Sequence, residues 1–185
     1  PKTQLDAQGR RILWGWIRER RTDAQMRAAG WSGMMSLPRV LTLDRDGTLR
    51  MRILPRTATL RNGTIAAAAT GTATTLTLPR ATGELLCAGT KGSAFELTLT
   101  AASTPLMQIR YSPETHTVTA NGKQIALEPG DAPTLHAFVD GSVVELIVGE
   151  RIGYALRFYY TTATAPDVHA RLTGTNVKVH AWKLN

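Results

Sequence analysis

Apolar and polar positions alternate with a period of two over much of the chain, and a helical pattern is confined to one short polar stretch. Phe95, Leu97 and Leu99 alternate with Glu96, Thr98 and Thr100, which predicts a strand with one buried face. Tyr154, Leu156, Phe158 and Tyr160 repeat the pattern against Ala155, Arg157 and Tyr159. Val144, Leu146 and Val148 turn one way with Glu145 on the other side, and Val177 to Trp182 is also strand-like. Nearer the N-terminus, residues 10–17 read as a buried strand with Trp14 and Trp16 on one face. Residues 35–43 and 48–53 give two further strands joined by Asp46-Gly47, a hairpin signal. The polar residues 18–29 between them accommodate a short helix, with Asp23 as N-cap and Gly30 where it would stop.

Turn residues divide the rest. Asn62-Gly63, Asn121-Gly122 and Asp140-Gly141 are hairpin dipeptides, and Gly71, Gly83, Gly89 and Gly92 punctuate the gaps. Composition changes near 55–62, after which Thr and Ala dominate as far as residue 82. Short strands at regular spacing, without a helical period, predict an antiparallel β-sandwich behind a separate N-terminal unit.

Charge adds a second asymmetry. Residues 1–61 hold 13 Lys and Arg against 5 Asp and Glu, while residues 62–185 hold 9 of each. A basic third can mark a nucleic-acid or membrane patch. It lacks the exposed aromatics with glycine spacing of RNA-binding strands, so neither nucleic acid nor membrane is expected as a partner. The arginines are expected instead to face acidic surface, or an acidic active site, on a part of the same protein outside this chain. No apolar run approaches the roughly 20 residues a membrane-spanning helix needs, and the start at Pro1 reads as cut from something longer.

Candidate chemistry is sparse. No glycine-rich phosphate loop, HExxH, CxxC or Gly-x-Ser-x-Gly pattern occurs. His116, His136, His169 and His180 lack metal-ligand spacing and read as surface or interface residues, so neither metal nor cofactor is expected. Cys87, the one cysteine, reads as a small buried hydrophobe. Asp140 and Glu145 are the tempting carboxylate pair, but their odd spacing predicts opposite sheet faces. Glu19 and Asp23 are expected on a solvated loop. Trp14, Trp16 and Trp31 suit a sugar-stacking platform or, more commonly, a core.

One order of segments is more specific. Lys2-Thr3-Gln4-Leu5-Asp6, residues 9–16 (GRRILWGW), residues 30–33 (GWSG), residues 36–39 (SLPR) and Leu54-Pro55 with Leu60-Arg61 resemble the end of the catalytic domain of family-32 glycoside hydrolases. That family includes invertases, levanases and inulinases. Residues 137–145 (AFVDGSVVE) resemble the family's C-terminal Asp-x-Ser-x-x-Glu strand pair. The resemblance implies an all-β chain, with a C-terminal antiparallel sandwich (62–185) preceded by a linker (55–61). Residues 1–54 would be outer strands of the last blade of a five-bladed propeller. It also implies retaining cleavage of sucrose or fructans by an Asp nucleophile and a Glu acid/base, two carboxyls about 5 Å apart.

The family's Trp-x-Asn-Asp-Pro, Arg-Asp-Pro and Glu-Cys motifs are absent; Arg45-Asp46-Gly47 is the hairpin, and Leu86 precedes Cys87. No catalytic residue is therefore expected in this chain. By family position, Trp16, Glu19 and Arg20 are the candidates for the substrate's edge, although some relatives carry an aromatic where Arg20 stands. The implied partners are a missing N-terminal propeller segment and a fructose-containing saccharide. The implied location is secreted or periplasmic, with the cytoplasm as the alternative, and a homo-oligomer contact is a further role open to the sandwich. A different function, a carbohydrate-binding sandwich, predicts an exposed planar strip built from Tyr111, Tyr154, Tyr159 or Tyr160.

Overall fold

The computed structural model describes residues 1–70 and 72–185, with side chains described outside residues 67–71; the turn expected at Gly71 lies outside the described residues. The chain begins with six short strands: β1 (Lys2–Leu5), β2 (Arg11–Trp14), β3 (Trp16–Ile17), β4 (Met34–Met35), β5 (Arg39–Leu43) and β6 (Leu49–Ile53). β1, β2, β5 and β6 form an antiparallel four-stranded sheet in sequence order, and β3 pairs with β4 beside it. A helix, α1 (Asp23–Ala29), lies between β3 and β4.

Two breaks shape this region. Residues 10–17 do not form one strand, because Gly15 leaves the ladder to exchange bonds with Ser36: its N–H donates to Ser36 Oγ at 2.9 Å and its carbonyl accepts from the Ser36 N–H at 2.7 Å. Trp14 and Trp16 are thus parted, Trp14 half-buried and Trp16 59% exposed. Residues 35–43 break likewise at Leu37-Pro38, where proline removes a ladder donor. α1 starts on Thr22 rather than Asp23. Thr22 and Gln25 form a capping box, Asp23 falls in the first turn, and Gly30 closes the helix in the left-handed conformation (φ 75°).

After a 3₁₀ turn over Pro55–Leu60, twelve strands build two six-stranded antiparallel sheets. They are β7 (Arg61–Thr70), β8 (Ala73–Leu78), β9 (Thr82–Gly89), β10 (Phe95–Ala101), β11 (Thr104–Ser112) and β12 (Thr117–Ala120), then β13 (Lys123–Ala126), β14 (Thr134–Asp140), β15 (Val143–Val148), β16 (Ile152–Arg157), β17 (Val168–Gly174) and β18 (Val177–Leu184). One sheet runs β13-β12-β11-β10-β17-β8 and the other β16-β15-β14-β9-β18-β7. Among the described residues every pairing is antiparallel, and none of the sheets closes on itself.

The core lies between the two larger sheets. β10 alternates strictly, with Phe95, Leu97, Leu99 and Ala101 inside. They meet Leu85, Cys87, Leu135, Val139, Val144 and Leu146 of the opposing sheet in one contiguous cluster. Asn121-Gly122 and Asp140-Gly141 open tight hairpins, with Asn121 (φ 46°) and Gly122 (φ 81°) supplying the positive φ the first of these requires. Asn62-Gly63 does not. It lies inside β7, where Trp182 pairs with Thr64 but Leu184 pairs with Arg61, so two residues of β7 oppose Lys183. That is a β-bulge, and Gly63 (φ 120°) absorbs it.

β15 departs from one-sided burial: all six of its residues are buried. Val144, Leu146 and Val148 belong to the sandwich core. Ile147 packs outward with Phe138 and Ile53, and Leu37, Met51 and Leu184 complete this second cluster. Three of these six residues, Leu37, Met51 and Ile53, come from the N-terminal region, so its sheet lies against the outer face of the β14–β15 hairpin.

Candidate functional site

Carboxylates of the sandwich organise the seam between the two parts. Glu145 stands on the outer face of β15 and is 5% exposed. Its Oε1 accepts the Leu37 N–H and its Oε2 accepts Arg39 Nη2, each at 2.7 Å. Burial nonetheless raises its pKa, against the lowering effect of those two donors. Asp140 shares this face, contrary to the spacing argument. The strand reverses between them, so Asp140 pairs with Val143, and Val143 and Glu145 are two apart on one strand. Both acids line a cavity of about 210 Å³ with Trp14, Met35 and Pro38.

Several arginines of the basic N-terminal third pair with acids of this chain. Arg50 bonds Asp44 at 2.8 Å and the fully buried Asp131 carboxylate at 2.5 Å, and Arg52 pairs with Glu150. Met51 donates its N–H to the Glu150 carbonyl at 2.6 Å. Arg61, at the start of β7, grips Glu84 with two bonds of 2.7 Å while its guanidinium lies 3.7 Å over the Trp182 ring. His136 Nε2 is 2.7 Å from the same Glu84 oxygen that Arg61 Nη2 holds. Glu84 is 2% exposed. Burial pushes its pKa up, but the Arg61 and His136 bonds outweigh it and bring it down to about 2.

The segment carrying the expected edge residues is held by a separate network. Glu19 is not solvated. Its Oε1 accepts the N–H groups of Arg20 (2.8 Å) and Arg21 (3.1 Å) and the hydroxyl of Tyr159. Its Oε2 accepts Arg21 Nη2 (2.7 Å) and the Gly33 N–H (3.3 Å), with Arg157 Nη2 at 3.6 Å. The Arg21 bond above all, with the Tyr159 hydroxyl and backbone donors, holds this carboxyl far below the usual range despite burial. Arg21 lies 4.1 Å from the Trp31 ring centroid, and Arg157 lies 5.2 Å from both Trp31 and Tyr159. Arg157 is 5% exposed and also donates to Met34 Sδ at 2.6 Å.

Trp16 joins through Gly33. A Cβ at that glycine would lie 2.3 Å from the indole, and its φ of 64° already favours glycine. Arg20 enters by its backbone alone; its N–H also reaches the Tyr159 hydroxyl at 3.2 Å, while its side chain is exposed. Asp23 stays exposed on the helix. Sequence reasoning missed Arg157, Tyr159 and Glu84 as members of these networks. The detectable signal was a charged residue inside an apolar strand pattern, which holds for Glu84 and Arg157 alike.

Other chemistry is not assembled. Among the described residues, no group of three or more His, Cys, Asp or Glu could hold a metal ion. The four histidines lie apart: His116 bonds Tyr111, His136 Glu84 and His169 Thr77, and His180 stacks on Trp182. Burial pushes the Cys87 thiol up to about 12, which removes it as a nucleophile. Among the described residues, no helix is long and apolar enough to cross a membrane. The expected aromatic strip does not form either. Tyr111 is fully buried and Tyr154 packs against the core, leaving Tyr159 and Tyr160 past the end of β16.

An open four-stranded sheet docked through ion pairs on a two-sheet sandwich defines an all-β, two-part architecture. Comparison with known proteins gives it a family. Residues 1–52 match the model of the glycosyl hydrolases family 32 N-terminal domain. Over 159 residues the chain is 30% identical to the sucrose-6-phosphate hydrolase of Vibrio alginolyticus, covering 80% of this chain and 31% of that one. A fructan 6-exohydrolase of Beta vulgaris is 45% identical over 42 residues, 23% of this chain and 7% of that protein. Among solved structures, a family-32 β-fructofuranosidase of Bombyx mori superposes on the whole chain and 40% of its own, with a TM-score of 0.81 at 21% identity. An exo-inulinase of Aspergillus awamori covers 95% of this chain and 40% of its own (TM-score 0.73, 17% identity). The chain belongs to glycosyl hydrolase family 32, and it spans about a third of the length of the Vibrio relative.

Proposed function

We propose that this chain is the C-terminal portion of a retaining sucrose or fructan hydrolase, and that its sandwich serves to hold the edge of the catalytic domain in place. Residues 1–54 are read as the last blade of a five-bladed propeller, 55–61 as the linker and 62–185 as the sandwich. The four-stranded antiparallel meander supports the first part, since a propeller blade has that strand number.

The observation that carries the reading is the two-sided burial of β15, with Glu145 bonded to both Leu37 and Arg39 across the seam. The nucleophile and acid/base are assigned to a preceding propeller segment. In support, the buried acids of this chain are already committed: Glu84, Asp131 and Glu145 each hold an arginine, and Glu19 is filled by donors. Glu19 is accordingly a positioning residue. It fixes the Trp16–Gly33 segment, on which a fructose-containing saccharide would meet its edge, rather than touching sugar itself.

The test is turnover. The 185-residue chain alone should release no fructose from sucrose, inulin or levan above background. The parent polypeptide should release it with retention, read from the anomer first formed. Hydrolysis by this chain alone, or inversion by the parent, would overturn the assignment.

A further inference from the structure

A groove of about 460 Å³ opens at the end of the sandwich beside the Glu19 network, within the roughly 300–1,000 Å³ usual for small-molecule sites. Pro105 and Leu106 line it from the β10–β11 hairpin side, and Phe158, Tyr159 and Tyr160 line it from the segment after β16.

Its chemistry is mixed in a particular way. Tyr159 and Tyr160 are 40% and 39% exposed, so two large aromatic surfaces remain in contact with water in an otherwise well-buried sandwich. Thr104 and Thr161 add hydroxyls to the lining. An apolar face edged with hydrogen-bonding groups complements a sugar ring, which presents C–H groups on its faces and hydroxyls around its rim. No carboxylate lines the groove, and its one charged side chain, Arg157, is turned to Glu19 and Met34. A neutral ligand suits it better than an ionic one.

Tyr159 is also held in place before any ligand arrives. Its hydroxyl donates to Glu19 and receives Arg157 Nε at 3.3 Å and the Arg20 N–H at 3.2 Å. A ring fixed in this way costs little further ordering on binding. The same tyrosine therefore belongs both to the groove and to the network of the expected substrate-edge segment.

We propose that this groove is an accessory saccharide site, taking a sugar unit of an oligosaccharide at a distance from the bond to be cleaved. The choice of fructose oligomer as ligand rests on the hydrolase reading above; the groove itself rests on Tyr159, Tyr160 and the volume they border. This is a single-ring site at the sandwich's end, unlike the planar strip that Tyr111 and Tyr154 rule out by their burial.

Titration of the 185-residue chain with a short inulin-type fructo-oligosaccharide, followed through tyrosine ring resonances, tests it, with maltotriose as the control. Saturable shifts confined to Tyr159, Tyr160 and their neighbours are expected with the fructose oligomer. Tyr160→Ala should weaken binding roughly tenfold, the equivalent of one lost aromatic stacking contact, while Tyr160→Phe should keep it. Thr104→Trp, which fills the groove from an exposed position, should also block binding, so a misfolded tyrosine variant would not decide the matter. No saturable binding, equal binding of maltotriose, or binding indifferent to both Tyr160→Ala and Thr104→Trp overturns the proposal. Sucrose turnover by the parent polypeptide is measured alongside. Its absence would sink the hydrolase reading, whereas the ring shifts report on the groove alone.

Discussion

Arg39 and Glu145, 106 positions apart in sequence, meet at 2.7 Å across the seam with side chains only 11% and 7% exposed. Neither has enough water to be indifferent to losing the other. Glu145→Ala strands a buried guanidinium and the Leu37 N–H, so it should cost about 3–5 kcal/mol, read from urea unfolding. Replacing both residues by apolar ones of similar size should cost much less, because the stranded charge is the main penalty.

Gly33→Ala should loosen the Glu19 segment rather than the sandwich. The new methyl meets the Trp16 indole and the residue must keep a left-handed φ. Overpacking and strain together should cost about 1–3 kcal/mol. The expected sign is a changed tryptophan emission with faster proteolysis within residues 18–33, while the core near Val144 keeps its amide protection. Unchanged emission would mean that the indole moves aside freely.

Acid should act through Glu84. Its pKa falls from the ordinary carboxylate range to about 2 in the folded chain. A depressed folded pKa gives stability that is fully present above the unfolded value of 4.5 and is lost as pH falls towards 2. The loss from this residue should be on the order of 3 kcal/mol. Glu84→Gln should flatten that part of the stability profile while lowering stability at neutral pH; an unchanged acid slope would place the effect on another carboxyl.

Cys87 should be inert while the chain is folded. It sits fully buried in the core with its thiol pushed up to about 12. A thiol reagent at pH 8 should modify it only at the rate of global opening, and labelling should speed up in step with added urea.

Strand content was legible wherever burial is one-sided. β10 reads as alternation because one face meets the core and the other meets water. β15 shows why the rest was harder. Its apolar run hides two different environments, and Glu145 reads as an ordinary exposed residue until the N-terminal sheet is placed over it. The Asp140–Glu145 geometry was misjudged because parity along one strand was applied across a turn. Asn62-Gly63 carries the residues of a hairpin, yet its surroundings require a bulge. For the candidate site, Trp16, Glu19 and Arg20 were expected at the substrate's edge by family position, but the bond between Glu19 and Tyr159 was not legible, since Tyr159 lies 140 residues downstream. Local pattern carries no information about contacts at that separation.

The double burial of β15 bears on how such proteins can be recombined. A sandwich swapped between relatives at the 3₁₀ turn of Pro55–Leu60 carries the outer face of its β14–β15 hairpin into an unfamiliar sheet. If the recipient lacks counterparts of Leu37, Arg39 and Met51, Glu145 and Ile147 are left facing the wrong chemistry. A viable chimera must therefore exchange the seam as a unit, and its compatible parents are those whose residues match at this contact, whatever their overall identity.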